Sequence, residues 1–184
     1  MDQTRLLRTL RAVRRYAQEP IPLGILEDIL EAARWTGSSQ NTQPWQLVVV
    51  RDSAMLAELS RLGAYAGHLA GATVGVALVM DGTAPSLEFD AGRLAQAIML
   101  AAWAHGVGSC IASLYPAVNR ERARQLLGVP ADRGLQTVIA LGYPASADAL
   151  RLRSSPPEVR SAVAPGRRGR RDLVSWGTYG NRRP

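Results

Sequence analysis

The feature that most limits how this chain can fold is a set of four short apolar runs held apart by stretches of helical periodicity. "WQLVVV" at 45–50, "TVGVALVMD" at 73–81, "SCIAS" at 109–113 and "LQTVIALGYP" at 135–144 each read as a buried strand. Leu6, Leu10, Val13 and Ala17 fall at helical spacing, and Leu26, Ile29, Leu30 and Ala33 mark a second helix, with Pro22 in its first turn. Ser53 is placed to cap a third helix through Leu62. The longest, "SLEFDAGRLAQAIMLAAWAHG", runs from Ser86 to a C-terminal Gly106, and "NRERARQLLG" runs from an Asn119 cap to Gly128. Helices and strands interleaved in this way pack as helices on a sheet.

The 184 residues suit one compact domain with a core large enough to need no staples. Cys110 is the only cysteine, so no intrachain disulfide can form. The longest apolar run, "LAGATVGVALVM" at 69–80, falls well short of the roughly 20 residues of a membrane-spanning helix. The N-terminus carries acid and Arg where a signal peptide needs an apolar core. The expectation is a cytoplasmic protein with no membrane partner. All 22 basic residues are Arg; residues 1–150 hold 13 of them against 13 acids, and residues 151–184 hold 9 against 2. Periodicity ends at Pro144, so the domain is expected over 1–150 and a basic extension over 151–184.

Several chemistries are excluded. "GVGSC" at 106–110 lacks the third glycine of a dinucleotide fingerprint and follows a helix, and a chain without Lys has no P-loop. His68, His105 and Cys110 are too scattered for a zinc site, so no metal is expected, and no G-x-S-x-G marks a hydrolase nucleophile. What remains is an Arg cluster near the N-terminus, the loop "SSQNTQPW" and an Arg-rich tail. Arg binds phosphate bidentately, and amide side chains match the donor and acceptor edge of a heterocycle. Together they suit an anionic, planar, hydrogen-bonding cofactor. Taken alone, Asn41 and Gln43 also read as capping and turn residues before a strand. Trp45 and Trp103 read as core, and Arg15, Arg34 and Arg51 as solvated faces.

In these features the sequence resembles the nitroreductase family of FMN-dependent oxidoreductases. "LRAVRRY" at 10–16, "PIP" at 20–22 and "TGSSQNTQPWQLVVV" at 36–50 match the family's R-R-S-x-R-x-F motif, its Pro-x-Pro helix start and its A-P-S-x-x-N-x-Q-P-W loop. "DAGRLAQAIMLAAWAHGVGSC", "LLGVP", "IALGYP" and "RRGRRDLVSWGTYG" follow in the family's order. The resemblance implies an α+β fold: a three-layer sandwich whose central mixed or antiparallel sheet is flanked by helices, in an intertwined homodimer whose C-terminal extensions wrap the partner.

It also implies a site. Arg14 matches the residue near the flavin pyrimidine edge, and Arg11 has a ribityl-phosphate role. Ser38, Ser39, Asn41 and Gln43 match the loop at the ring and ribityl chain. Ser113 and Leu114 match backbone donors near N5, and Arg168 and Arg170 match the phosphate-binding pair. The implied activity is ping-pong: NADH or NADPH reduces FMN at N5, and a small oxidant such as a nitroaromatic, quinone or enone enters next. No catalytic side chain is then required.

The chain departs from the family pattern at Leu10 and Ala12, which replace an Arg and a Ser, and at Gly37, which replaces a Pro. The segments 59–73 and 82–89 leave little room for a lid, so an open pocket is expected. Two alternatives remain. One is a flavin protein of the same fold with specialised or absent turnover, such as flavin fragmentation or dehalogenation. The other is a nucleic-acid-binding module using the tail; it is not expected, because the tail has no base-reading motif and the rest of the chain is neutral.

Overall fold

The computed structural model describes residues 3–147 and 169–182. They fall into two compact units, Met1–Leu150 and Arg151–Pro184. In the first unit the order is α1 (Gln3–Thr9), α2 (Leu23–Arg34), β1 (Trp45–Val50), α3 (Ser53–Ser60), β2 (Val74–Met80), α4 (Pro85–Ala104), β3 (Gly108–Ser113), α5 (Ala117–Leu126) and β4 (Gly134–Gly142). Short 3-10 turns lie at Ser39–Asn41 and Gly67–Gly71.

The sheet runs β1-β2-β4-β3, and every neighbouring pair is antiparallel. An isolated parallel bridge joins Ala12 to Ser109, and an antiparallel one joins Tyr16 to Pro144. Strand alternation sends Val74, Val76 and Leu78 of β2 to one face, where they pack with Leu26, Ile29 and Ala33 of α2 and Leu94, Ile98 and Ala102 of α4. Ala77 and Val79 go to the other face, against Leu56 and Leu59 of α3, Leu69 and Ala123 of α5. Burial on both faces is why β2 reads as an unbroken apolar run rather than an alternating one. Three layers result, as expected for an α+β sandwich.

Local details depart from the sequence reading. α1 stops at Thr9, and beyond it the chain is extended: Val13 N–H donates to Ser109 O (2.8 Å) and Ala17 N–H to Tyr143 O (2.8 Å). Val13 is buried through that sheet-edge pairing, so the helical spacing of Val13 and Ala17 with Leu6 and Leu10 is coincidental. Asp52, not Ser53, caps α3, its Oδ1 accepting from Met55 N–H at 2.7 Å. α5 begins at Ala117, and Asn119 Nδ2 instead donates to Tyr115 O at 3.0 Å. Gly106 follows α4 in the left-handed conformation (φ 74°), as its position suggested. Trp45 and Trp103 pack partly buried against the two cores.

In the second unit, α6 (Arg170–Leu173) leads into a tight turn. Trp176 N–H donates to Asn181 O (2.7 Å), and Asn181 Nδ2 donates to Trp176 O (2.8 Å). Tyr179 is 98% exposed. Among the described residues no helix is long and apolar enough to cross a membrane.

Candidate functional site

The Ser38–Pro44 loop carries unusual backbone geometry. Gln40, Asn41 and Gln43 all have positive φ (51°, 55° and 47°), and they are the only described non-glycine residues that do. Each such residue costs roughly 1–3 kcal/mol, and Gln43 is further restricted because it precedes Pro44. The loop is tied to itself: Gln43 N–H donates to Ser38 Oγ (2.8 Å), Thr42 Oγ1 to Ser39 O (3.0 Å) and Gln43 Nε2 to Asn41 Oδ1 (3.2 Å). Its exit is fastened by Asp81 N–H on Pro44 O at 3.0 Å. Turn-forming is therefore part of what Ser38, Asn41 and Gln43 do. Strain of this kind collects where the backbone serves a ligand, and the side chains from Ser39 to Gln43 are all exposed.

The second group lies along β3. Leu114 N–H donates to Gln136 O (2.9 Å), so strand alternation turns the N–H and C=O of Ser113 to the outer edge. The Val13–Ser109 bond on that edge has the same phase. Of the two donors expected near N5, the Leu114 N–H is committed to the sheet and the Ser113 N–H faces outward. Gly63 packs directly on the Ser113 carbonyl, where a Cβ would lie 2.2 Å from the oxygen.

Arg14 is exposed beside this edge, and its charge acts on Tyr16, His68 and Cys110. Burial pushes the Cys110 thiol up and the His68 imidazole down, and the Arg14 charge lowers both. His68 Nε2 is buried without a hydrogen-bond partner, a feature with no sequence signal because a lone His fits no motif. Arg11 is partly consumed: Nη1 donates to Arg8 O (3.0 Å) and Leu10 O (2.9 Å), closing the end of α1. Arg168 lies outside the described residues, and Arg170 opens α6.

The two groups do not meet within one chain. The loop enters β1 at one edge of the sheet, while Arg14, Ser113 and Leu114 lie at β3, the other edge. Three strand spacings separate those edges, about 14 Å. Each group nevertheless carries what a flavin demands. One offers exposed amides and hydroxyls, and the other a cation beside an outward N–H.

A sequence model of the nitroreductase family matches residues 7–66 and 62–143. This chain belongs to the nitroreductase family. It is 32% identical over 146 residues to an Archaeoglobus fulgidus protein whose name pairs NADH dehydrogenase with NAD(P)H nitroreductase, covering 76% of this chain and 84% of that one. A Thermus thermophilus NADH dehydrogenase is 31% identical over 170 residues, covering 73% and 83%. Among solved structures, an FMN-dependent nitroreductase from Clostridium difficile superposes with a TM-score of 0.73 at 24% identity, over 86% of this chain and 95% of that one. A Desulfovibrio desulfuricans structure solved in complex with FMN gives 0.70 at 25% identity, over 91% and 99%. The nitroreductase-like oxidoreductase class and the three-layer α+β fold follow from this membership.

Proposed function

We propose that the chain is an FMN-dependent oxidoreductase that works as a homodimer. Bound FMN supplies hydride transfer through N5, from NADH or NADPH to a small oxidant such as a nitroaromatic, quinone or enone. The observation that carries the proposal is the exposed, strained Ser38–Gln43 loop at one sheet edge, with its complement of cation and outward N–H at the other.

Two copies facing each other would bring the loop of one against the β3 edge of its partner. The outer face of α4 supports such pairing. Phe89 is 72% exposed there, and Gly92, Gln96, Ala97 and Leu100 line an open groove beside it. In the assembled site, Ser38, Ser39, Asn41 and Gln43 would hold the ring and ribityl chain from one side. From the other, Ser113 would present its N–H to N5, with Leu114 fixing that strand end by its bond to Gln136. Arg14 would place positive charge at the pyrimidine edge, where it favours the anionic reduced ring. Arg168 and Arg170, with Arg11, would bind the phosphate, and the C-terminal extension would wrap the partner. Within the segments 59–73 and 82–89 the chain forms only the end of α3, the 3-10 turn Gly67–Gly71 and the start of α4, with no separate lid helix, which supports an open pocket. The single, buried Cys110 suits a cytoplasmic setting.

The visible absorption spectrum of the purified protein, followed by anaerobic addition of NADH or NADPH, tests this function. A yellow, FMN-like spectrum that bleaches is expected. A colourless protein that leaves added FMN untouched would overturn the proposal, and a yellow protein that does not bleach would leave only a flavin-binding role.

A further inference from the structure

Gly37 stands where the family's loop motif carries proline, and Arg93 gives the reason. A Cβ at Gly37 would lie 2.7 Å from Arg93 Nη2, so the tip of the guanidinium rests against Gly37 and a side chain there would have to displace it. Arg93 is itself held: Nη1 lies 3.5 Å from Asp90 Oδ1 one turn earlier on α4, and Cζ lies 5.8 Å from the Phe89 ring centroid. Asp90 is 7% exposed, one of only two buried polar residues among those described. A buried carboxylate without a cation is costly, so Asp90 and Arg93 constrain each other. The neighbouring Thr36 has its Oγ1 buried with no hydrogen-bond partner, so no side-chain bond of its own fastens the loop at this point.

We infer that Asp90 and Arg93 are positioning residues that brace the entrance of the Ser38–Gln43 loop. Three left-handed residues in a row of four persist only where the surroundings over-determine them. The bonds among Ser38, Ser39, Thr42 and Gln43 tie the loop to itself, and the Asp81–Pro44 bond anchors its exit. Arg93, seated on Gly37, anchors its entrance to the longest helix of the fold. A side chain at position 37 would push Arg93 off that seat. The consequence for cofactor binding rests on the FMN proposal above; the brace itself does not.

Hydrogen–deuterium exchange of amides 37–43 in the flavin-free protein reads the brace, and titration of FMN by fluorescence quenching reads its consequence. Arg93→Ala is expected to speed exchange in the loop and weaken FMN binding, each by about tenfold, with exchange in β2 and β4 unchanged. Because Arg93→Ala strands the Asp90 charge, the Asp90→Leu, Arg93→Ala double variant serves as a second test and is expected to give the same loop exchange. Arg93→Lys should not rescue, since an ammonium lacks the planar fork. Gly37→Ala should loosen the wild-type loop and add little in the Arg93→Ala background. Unchanged loop exchange in the double variant, or additive effects of Gly37→Ala and Arg93→Ala, would overturn the inference. Loosened loops in variants of a protein that binds no FMN would uphold the brace and overturn the proposed function instead.

Discussion

Gly63→Ala puts the β3 edge to a quantitative test. The new Cβ would lie 2.2 Å from Ser113 O and 3.0 Å from Ala66 Cβ. Backbone atoms face each other here, so the two segments must part by about 1 Å to reach van der Waals contact. Neither is free to retreat, because Leu114 N–H is bonded to Gln136 O (2.9 Å) and Tyr115 N–H to Leu62 O (3.2 Å). Over-packing of this kind costs about 1–3 kcal/mol, which urea unfolding would read as a lowered midpoint at constant slope. The Ser113 N–H moves with its carbonyl, and an error of about 1 Å in a positioning group can cost on the order of 100-fold in rate. Anaerobic stopped-flow bleaching of bound flavin by NADH measures that loss. Gly24→Ala, in the first turn of α2 with nothing within 4 Å, is the control and should not destabilise. A Gly63→Ala protein within about 0.5 kcal/mol of wild type, with unchanged bleaching, would refute the reasoning.

Restoring the family motif with Leu10→Arg and Ala12→Ser should tighten FMN binding tenfold or more, since a charged hydrogen bond contributes about 1.5–3 kcal/mol; unchanged affinity in a fluorescence titration would remove this segment from the site. Arg168→Ala with Arg170→Ala should release FMN on gel filtration, and full retention would exclude the tail from phosphate binding. Glu31 accepts from Arg34 and from Trp35 Nε1, which hold its carboxyl at about 2 against the usual 4.5. A depressed carboxylate supports the fold fully above its unfolded pKa and loses that support as pH falls toward 2. Glu31→Gln should therefore lose less stability than wild type between about pH 4.5 and 2, as read from urea midpoints; equal losses would mean that solvent screening cancels the pairing.

The strands were legible from short, β-branched apolar runs: "WQLVVV" became β1 residue for residue although only its Val50 is buried, and "TVGVALVMD", buried on both faces, brackets β2. The long central helix was legible from its length and Gly106. Caps were less so, since Asp52 and Ser53 both suit a helix start and only the Asp52–Met55 bond separates them. The extended segment after Thr9 was hidden, because Val13 is buried by a strand distant in sequence while Val13 and Ala17 happen to continue the spacing of Leu6 and Leu10. For the site, the polar loop announced itself by composition. Its left-handed residues did not, as Asn and Gln carry no obligatory signature of positive φ. Arg93 was visible only as an unexplained glycine at position 37.

The distribution of the site over opposite edges of one sheet has a genetic consequence. In the proposed homodimer each pocket takes its loop from one chain and its β3 edge from the other. A chain disabled at Asn41 and a chain disabled at Arg14 would each be defective alone. Mixed, they would form hybrid dimers in which one pocket carries both lesions and the other carries none. Two inactive proteins would then recover activity on co-expression, up to one intact pocket in each hybrid, whereas a site built within one chain would recover nothing.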